Sequence, residues 1–281
     1  MLGILPRLKH IVKPVVSAAM TSWSRDDDGQ VALVTRRGPA KGLRFHVDLI
    51  RRQEYGYWLG TYDRPILQSI ARLCRPGWTA WDCGTYLGYY TCFLARLVGP
   101  EGRVAAFEPD PINLARTERN VTLNGFRNVS FHHVAVGPPT GTIEFRMGEN
   151  TNSHIPGVYV GASRDAYALI ESVSRTITVP STSLDDAWSS GRAPRPDLIK
   201  LDIEGAELIA LEHADQLCRE VRPIVVLELH NPECDLAAWR WAAAYDYRLQ
   251  SLVTGQMLTR QEDVGGTLLC TPAQGVTNAV A

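Results

Sequence analysis

From residue 78 onward, short apolar runs alternate with longer segments of helical periodicity, and this rhythm limits the chain to few folds. TAWDC (79–83), RVAAFE (103–108), VSFHHVAV (129–136), DLIKLD (197–202), PIVVLELH (223–230), YRLQSLV (247–253) and GTLLCT (266–271) have the pattern of strands. LGYYTCFLARLVG (87–99), PINLARTERNVTLNG (111–125), AELIALEHADQLC (206–218) and residues 233–244 have that of helices. Such alternation is the signature of βαβ units and a largely parallel sheet, with about seven strands expected here. TIEFRM (142–147), after the GPPTG turn, is expected to pair antiparallel with a neighbour, and RTITVPSTSLDDAW (175–188) adds a strand and a short helix.

Before residue 78 the pattern differs. VALVTRR (31–37) and LRFHVDL (43–49) flank a GPAKG turn and predict a hairpin, following a turn at RDDDG (25–29). EYGYWLGTYD (54–63) leads into a helix that Asp63 is placed to cap, with Pro65 in its first turn and Ile66, Leu67, Ile70 and Leu73 on one face. Residues 2–22 have helical apolar spacing and predict an amphipathic arm that docks on the body or on a second subunit, so a homo-oligomer is compatible with the sequence. The simplest division is an extension over 1–75 and an α/β domain over 76–281.

Composition removes several functions. Lys plus Arg total 29 against 30 Asp plus Glu, a net charge of −1, which lacks the basic excess used to hold a phosphate backbone. Nucleic acid is therefore not an expected partner. The six cysteines include no CxxC pair, so no zinc site or disulfide framework is expected. No stretch approaches the roughly 18 apolar residues of a membrane span, and prolines and basic residues break the N-terminal apolar run. A cytoplasmic location is the default expectation.

The most informative motif is the strand–turn–helix WDCGTYLGYYT (81–91). Gly84 permits a tight turn, and Gly88 permits close approach of a ligand or of helix to strand. Dinucleotide sites usually show GxGxxG here, but this turn is DxGxxxG, with Asp82 ahead of the glycines. A carboxylate at that point suits a cationic ligand better than a diphosphate. AFEPDP (106–111) then places Glu108 about twenty residues on, where an acid accepts hydrogen bonds from ribose hydroxyls, while Asp110 is better placed to cap the next helix. Together these point to a nucleoside, and S-adenosylmethionine (AdoMet) fits them better than NAD.

LIKLDIEGAE (198–207) forms a second candidate site. Lys200 and Asp202 share a strand face, and Asp202 and Glu204 fall at the carboxyl end, where open α/β sheets place ligands. Glu207 either joins them or complements the start of the following helix. Glu228 and His230 share a face at the end of the next strand.

The ordered motifs WDCGTYLGYYT, AFEPDP with NVTLNG, VAVG, TVPSTSLDD, LIKLDIEGAE and VVLELH resemble those of the FkbM-type methyltransferases across residues 40–255. The resemblance implies a class I, AdoMet-dependent O-methyltransferase of secondary metabolites or sugars. Its fold would be a Rossmann-like seven-stranded α/β sheet with helices on both faces and an antiparallel last strand. Carried over, Asp82, Gly84 and Gly88 form the AdoMet loop, Glu108 holds the ribose, Ala135 lies beside adenine, and Asp202 faces the methionine end, while the ring of Tyr86 is expected to pack over the cofactor. Thr85 and Tyr86 stand where the family commonly has Ala-Asn, and Cys83 replaces an aliphatic residue. Gly60, Tyr62 and Asp63 match a Gly-Tyr-Glu-like element, with Asp for Glu.

Methyl transfer to a hydroxyl needs an aligned acceptor and a proton acceptor. His230 is the candidate base, with Asp202 or Glu204 orienting it or the acceptor. Tyr57, Tyr62, Asp63 and Glu228 are the candidate acceptor contacts, the tyrosines either stacking on a ring or sealing the core edge. TNSHIPG (151–157) is the candidate lid. No metal ligand set is assigned, although two carboxylates and a histidine are compatible with a divalent ion that gathers a diol. A catalytically silent AdoMet-fold scaffold and an NAD-dependent oxidoreductase are the alternatives, the second opposed by the missing GxGxxG.

Overall fold

The computed structural model describes residues 30–47, 52–147 and 175–273. The expected arm over 2–22, the turn at 25–29 and the lid at 151–157 lie outside the described residues. Strands β1 (Val31–Val34) and β2 (Arg44–Val47) form the expected antiparallel hairpin, followed by helices α1 (Arg52–Leu59) and α2 (Arg64–Leu73). The alternating part runs β3 (Thr79–Cys83), α3 (Tyr89–Val98), β4 (Arg103–Phe107), α4 (Pro111–Leu123) and β5 (Val129–His132). After β6 (Ala135–Val136), β7 (Gly141–Met147), β8 (Arg175–Thr182) and α5 (Leu184–Ser189), it resumes with β9 (Leu198–Leu201) and α6 (Glu207–Glu212). The last elements are β10 (Ile224–Glu228), α7 (Pro232–Tyr245), β11 (Tyr247–Ser251) and β12 (Thr267–Pro272).

Seven strands form one sheet in the order β11-β12-β10-β9-β3-β4-β5. β10, β9, β3, β4 and β5 are parallel, and the last strand, β12, runs antiparallel between β10 and β11. The chain steps outward from β3 to β4 and β5, then returns to lay β9 on the other side of β3. Ligands of open α/β sheets sit outside the carboxyl ends of the strands at such a reversal.

The period of two along each strand assigns residues to the two faces. Ala80, Val104, Leu198 and Val226 pack with α2, α3 and the hairpin, which share one core. Trp81, Phe107, Ile199 and Leu227 pack on the opposite side with α5, α6 and α7. Asp82 and Lys200 are parallel register partners. They face α3, where Asp82 accepts a hydrogen bond from Thr91 and Lys200 lies over the Tyr90 ring.

Three local expectations are corrected. VSFHHVAV is not one strand: a tight turn, with Val134 N–H donating to the His132 carbonyl, frees β6 to pair with β8 in a separate three-stranded sheet. TIEFRM does pair antiparallel, with β8 in that small sheet. The helix expected over 206–218 stops at Glu212, and a π-helical turn begins at Leu217, because Asp185 of α5 caps the N–H groups of Gln216 and Leu217. Asp63 precedes α2 but does not cap it. Its backbone is left-handed (φ 44°), and its carboxylate instead accepts a hydrogen bond from the Tyr90 hydroxyl at 2.9 Å.

Candidate active site

A cleft opens at the carboxyl ends of β3, β4 and β9, the place where open α/β sheets bind their ligands. Gly84, Tyr86, Glu108, Ala135, Asp202 and Glu204 line it. These residues come from separate strand ends and are gathered by the sheet topology.

At one end, Glu108 closes β4. Its Oε2 accepts Tyr86 N–H at 2.9 Å and its Oε1 accepts Asp110 N–H at 3.0 Å. Asp110, as expected, caps α4 through the N–H groups of Ile112 and Asn113. Burial raises the Glu108 pKa, the donors from Tyr86 and Asp110 pull against it, and the outcome is about 8. Ala135, Val136, Phe107, Pro109 and Phe145 give this end an apolar lining. Phe145 reaches it through β7, a contribution no local motif announced.

At the other end, Asp202 follows β9 and lies between two cations. Lys200 Nζ donates to its Oδ2 at 2.7 Å, and His230 Nε2 is 3.5 Å from its Oδ1. Burial opposes ionisation of Asp202, but Lys200 and His230 prevail and hold its pKa below the ordinary value. His230 donates from Nδ1 to Glu207 Oε1 at 3.0 Å, and its Nε2 is 3.9 Å from Glu204 Oε2. Burial lowers the His230 pKa, but Glu207, Asp202 and Glu204 raise it to about 9. Glu204 is raised to about 7, by burial first and then by Asp202. Glu228 is likewise raised to about 7 by burial and Asp202.

The orienter of His230 is therefore Glu207, rather than the expected Asp202 or Glu204. Glu207 is fully buried at the start of α6, where the same Oε1 also accepts the N–H groups of Ile203 and Gly205. Both options left open for it by the sequence apply at once.

Several expected contacts lie elsewhere. Asp82 is fully buried beneath the cleft and does not line it, one oxygen held by Thr91 at 2.6 Å and the other without a hydrogen-bond partner. Burial raises it to about 6. Gly88 caps α3 away from the cleft lining, where an added Cβ would lie 2.9 Å from the Thr117 methyl, so it serves helix packing. Tyr57, 2% exposed, stacks on Tyr89 at 4.6 Å and belongs to the core. Tyr62 does line the cleft, and Asp63 follows it in the chain without lining the cleft itself, its carboxylate accepting from the Tyr90 hydroxyl. Glu228 and His230 come together with Asp202, one ligand atom from each lying within 4.8 Å of the others.

Five described non-glycine residues have positive φ. Arg222 and Asp246 terminate helical segments, whereas Tyr86 and Glu204 line the cleft and Asp63 adjoins it. Strained backbone of this kind is retained where surroundings over-determine it, commonly at working sites.

The strand order, the antiparallel last strand and a cleft with acids at both ends define a class I methyltransferase architecture. The chain belongs to the methyltransferase FkbM domain family, whose model matches residues 82–249. It is 26% identical to hexuronic acid methyltransferase AglP of Haloferax volcanii, over 60% of this chain and 62% of that protein. It is 25% identical to methyltransferase 1 of Beauveria bassiana, over 56% of this chain and 66% of that one. The chain thus spans less than two thirds of the length of these relatives. The crystal structure of methyltransferase FkbM from Methylobacillus flagellatus matches 73% of this chain and 50% of its own, with 20% identity and a TM-score of 0.44. No helix among the described residues is long and apolar enough to cross a membrane.

Proposed function

We propose that this protein transfers a methyl group from AdoMet to a hydroxyl of a sugar or related secondary metabolite. One observation carries this: a single cleft presents Glu108 beside an apolar lining at one end and Asp202 and Glu204 at the other, with His230 next to both of these acids. That donor set fits AdoMet. Glu108 would accept from the ribose, Ala135 would border the adenine, Tyr86 would border the nucleoside, and Asp202 would face the ammonium and sulfonium end. The hexuronic acid named for the Haloferax relative supports a sugar acceptor.

When bound, AdoMet supplies an electrophilic methyl on a cationic sulfur. The chain's part is to align the acceptor oxygen, remove its proton and exclude water. Held near 9, His230 is a cation at neutral pH in the free site, so it steadies an oxygen rather than taking a proton. We assign proton removal to Glu204, which is held near 7 and lines the cleft. Tyr62 and Asp63 form the acceptor wall.

Methyl transfer from labelled AdoMet to a panel of uronic acids and neutral sugars tests this. The label should stay on the acceptor through mild alkali, as an ether does, and release as methanol would point to ester formation instead. Glu204→Gln should lower kcat by about 100-fold or more, and kcat should rise with pH through about 7. A rate limb near 9 that survives Glu204→Gln would return the proton to His230.

A second reading is favoured by the proximity of Asp202, Glu228 and His230. With Asp202 Oδ2 held by Lys200 and His230 Nδ1 by Glu207, one carboxylate oxygen of Asp202, the Glu228 carboxylate and His230 Nε2 remain to hold a divalent ion. Loss of turnover in EDTA, restored by Mg²⁺, would establish it, and unchanged turnover would remove it.

A further inference from the structure

We propose that Glu54 and Arg116 are positioning residues for the nucleoside end of the cleft, clamping Tyr86 so that the turn after β3 presents Glu108 to a ribose. The inference rests on the nucleoside reading above and adds to the site residues that precede or flank the recognised motifs.

Glu54 lies on α1, upstream of the segment matched by the family model. It is 0% exposed, yet it carries a carboxylate. Its Oε1 accepts from Arg116 Nη2 at 2.8 Å and from the Tyr86 hydroxyl at 3.1 Å. The Arg116 guanidinium also stands over the Tyr86 ring, 5.3 Å from its centroid. The ring is thus held by a hydrogen bond at its tip and a cation on its face.

The backbone of the same residue is held as firmly. Tyr86 N–H donates to Glu108 Oε2 at 2.9 Å, and its carbonyl accepts from Thr117 Oγ1 at 3.1 Å. Its φ of 52° is one an L residue adopts only under constraint. Freed from the clamp, this turn would relax toward ordinary φ and swing its N–H away from Glu108.

Stability alone does not explain the arrangement. A buried ion pair seldom outperforms well-packed apolar side chains of similar volume, and here Arg116 Nε is buried without a hydrogen-bond partner. What the ion pair does secure is the location of Tyr86, a residue that lines the cleft.

The test compares wild type, Glu54→Gln and Tyr86→Phe. The second variant removes one oxygen and keeps the ring, so it should fold normally. Affinities for S-adenosylhomocysteine, adenosine and 2′,3′-dideoxyadenosine are measured by calorimetry. Wild type should prefer adenosine to the dideoxy compound by about tenfold, the effect of the ribose hydrogen bonds to Glu108. In both variants the preference should fall below about threefold, and the double variant should fall no further, because both changes break one clamp. A merely structural role would weaken all three ligands together and leave the ratio intact. An unchanged ratio in both variants would overturn the proposal. Failure of wild type to bind any of the three would overturn the cofactor reading itself, and the clamp with it.

Discussion

At the scale of single residues, the site is governed by an imbalance of charge. Asp202 is satisfied by Lys200 and His230, whereas Glu204 and Glu228 are left to share what remains of that positive field. Glu207 is the residue that sets His230, since it supplies both its short hydrogen bond and its nearest negative charge. Glu207→Gln should therefore bring the His230 titration midpoint down from about 9 toward 6.5, observed as the imidazole proton shift in NMR. A wild-type midpoint already near 6.5 would contradict this picture. The sequence reveals His230, Asp202 and Glu204 through their position at strand ends. It leaves Glu207 ambiguous because a first-turn glutamate has an ordinary helical explanation. Glu54 and Arg116 are invisible in it, since only folding brings residues so far apart in the chain into contact.

At the scale of elements, the turn between β3 and α3 is where geometry is tightest. An added Cβ at Gly84 would lie 1.8 Å from the Asp202 carbonyl oxygen, and φ there is +86°. Gly84→Ala should destabilise the fold by roughly 3 kcal/mol, through strain and displacement of the β9 end. Denaturant titration checks this, and a loss below about 1 kcal/mol would show that the two strand ends are not locked together. Periodicity makes the sheet strands and most helices legible. It does not reveal where β5 gives way to β6, or why the helix from Glu207 breaks. Those boundaries depend on pairing with β8 and on capping by Asp185, both distant in sequence.

At the scale of the whole molecule, the site acids and His230 link folding to pH. Asp82, Glu204, Glu228, Glu108 and His230 are raised to about 6, 7, 7, 8 and 9. Each binds its proton more tightly folded than unfolded, so its contribution is complete below its unfolded pKa and is lost as pH rises through the folded one. The melting temperature of the free protein should accordingly fall between about pH 5 and pH 9. Thermal melts across that range check it, and a rising curve would contradict it. A cationic ligand in the cleft should flatten the decline by partnering the acids as they ionise. The near-zero net charge read from the sequence conceals this local excess of acid, because net charge carries no information about distribution.

The central claim is that the cleft at the carboxyl ends of β3, β4 and β9 is a nucleoside site for a cationic methyl donor. Calorimetric titration of the wild-type protein with AdoMet, S-adenosylhomocysteine and NAD tests it most directly. The account predicts one-to-one binding of AdoMet and S-adenosylhomocysteine, lost together on Glu108→Ala, with no binding of NAD. Binding of NAD alone, or of no nucleoside at all, would contradict it.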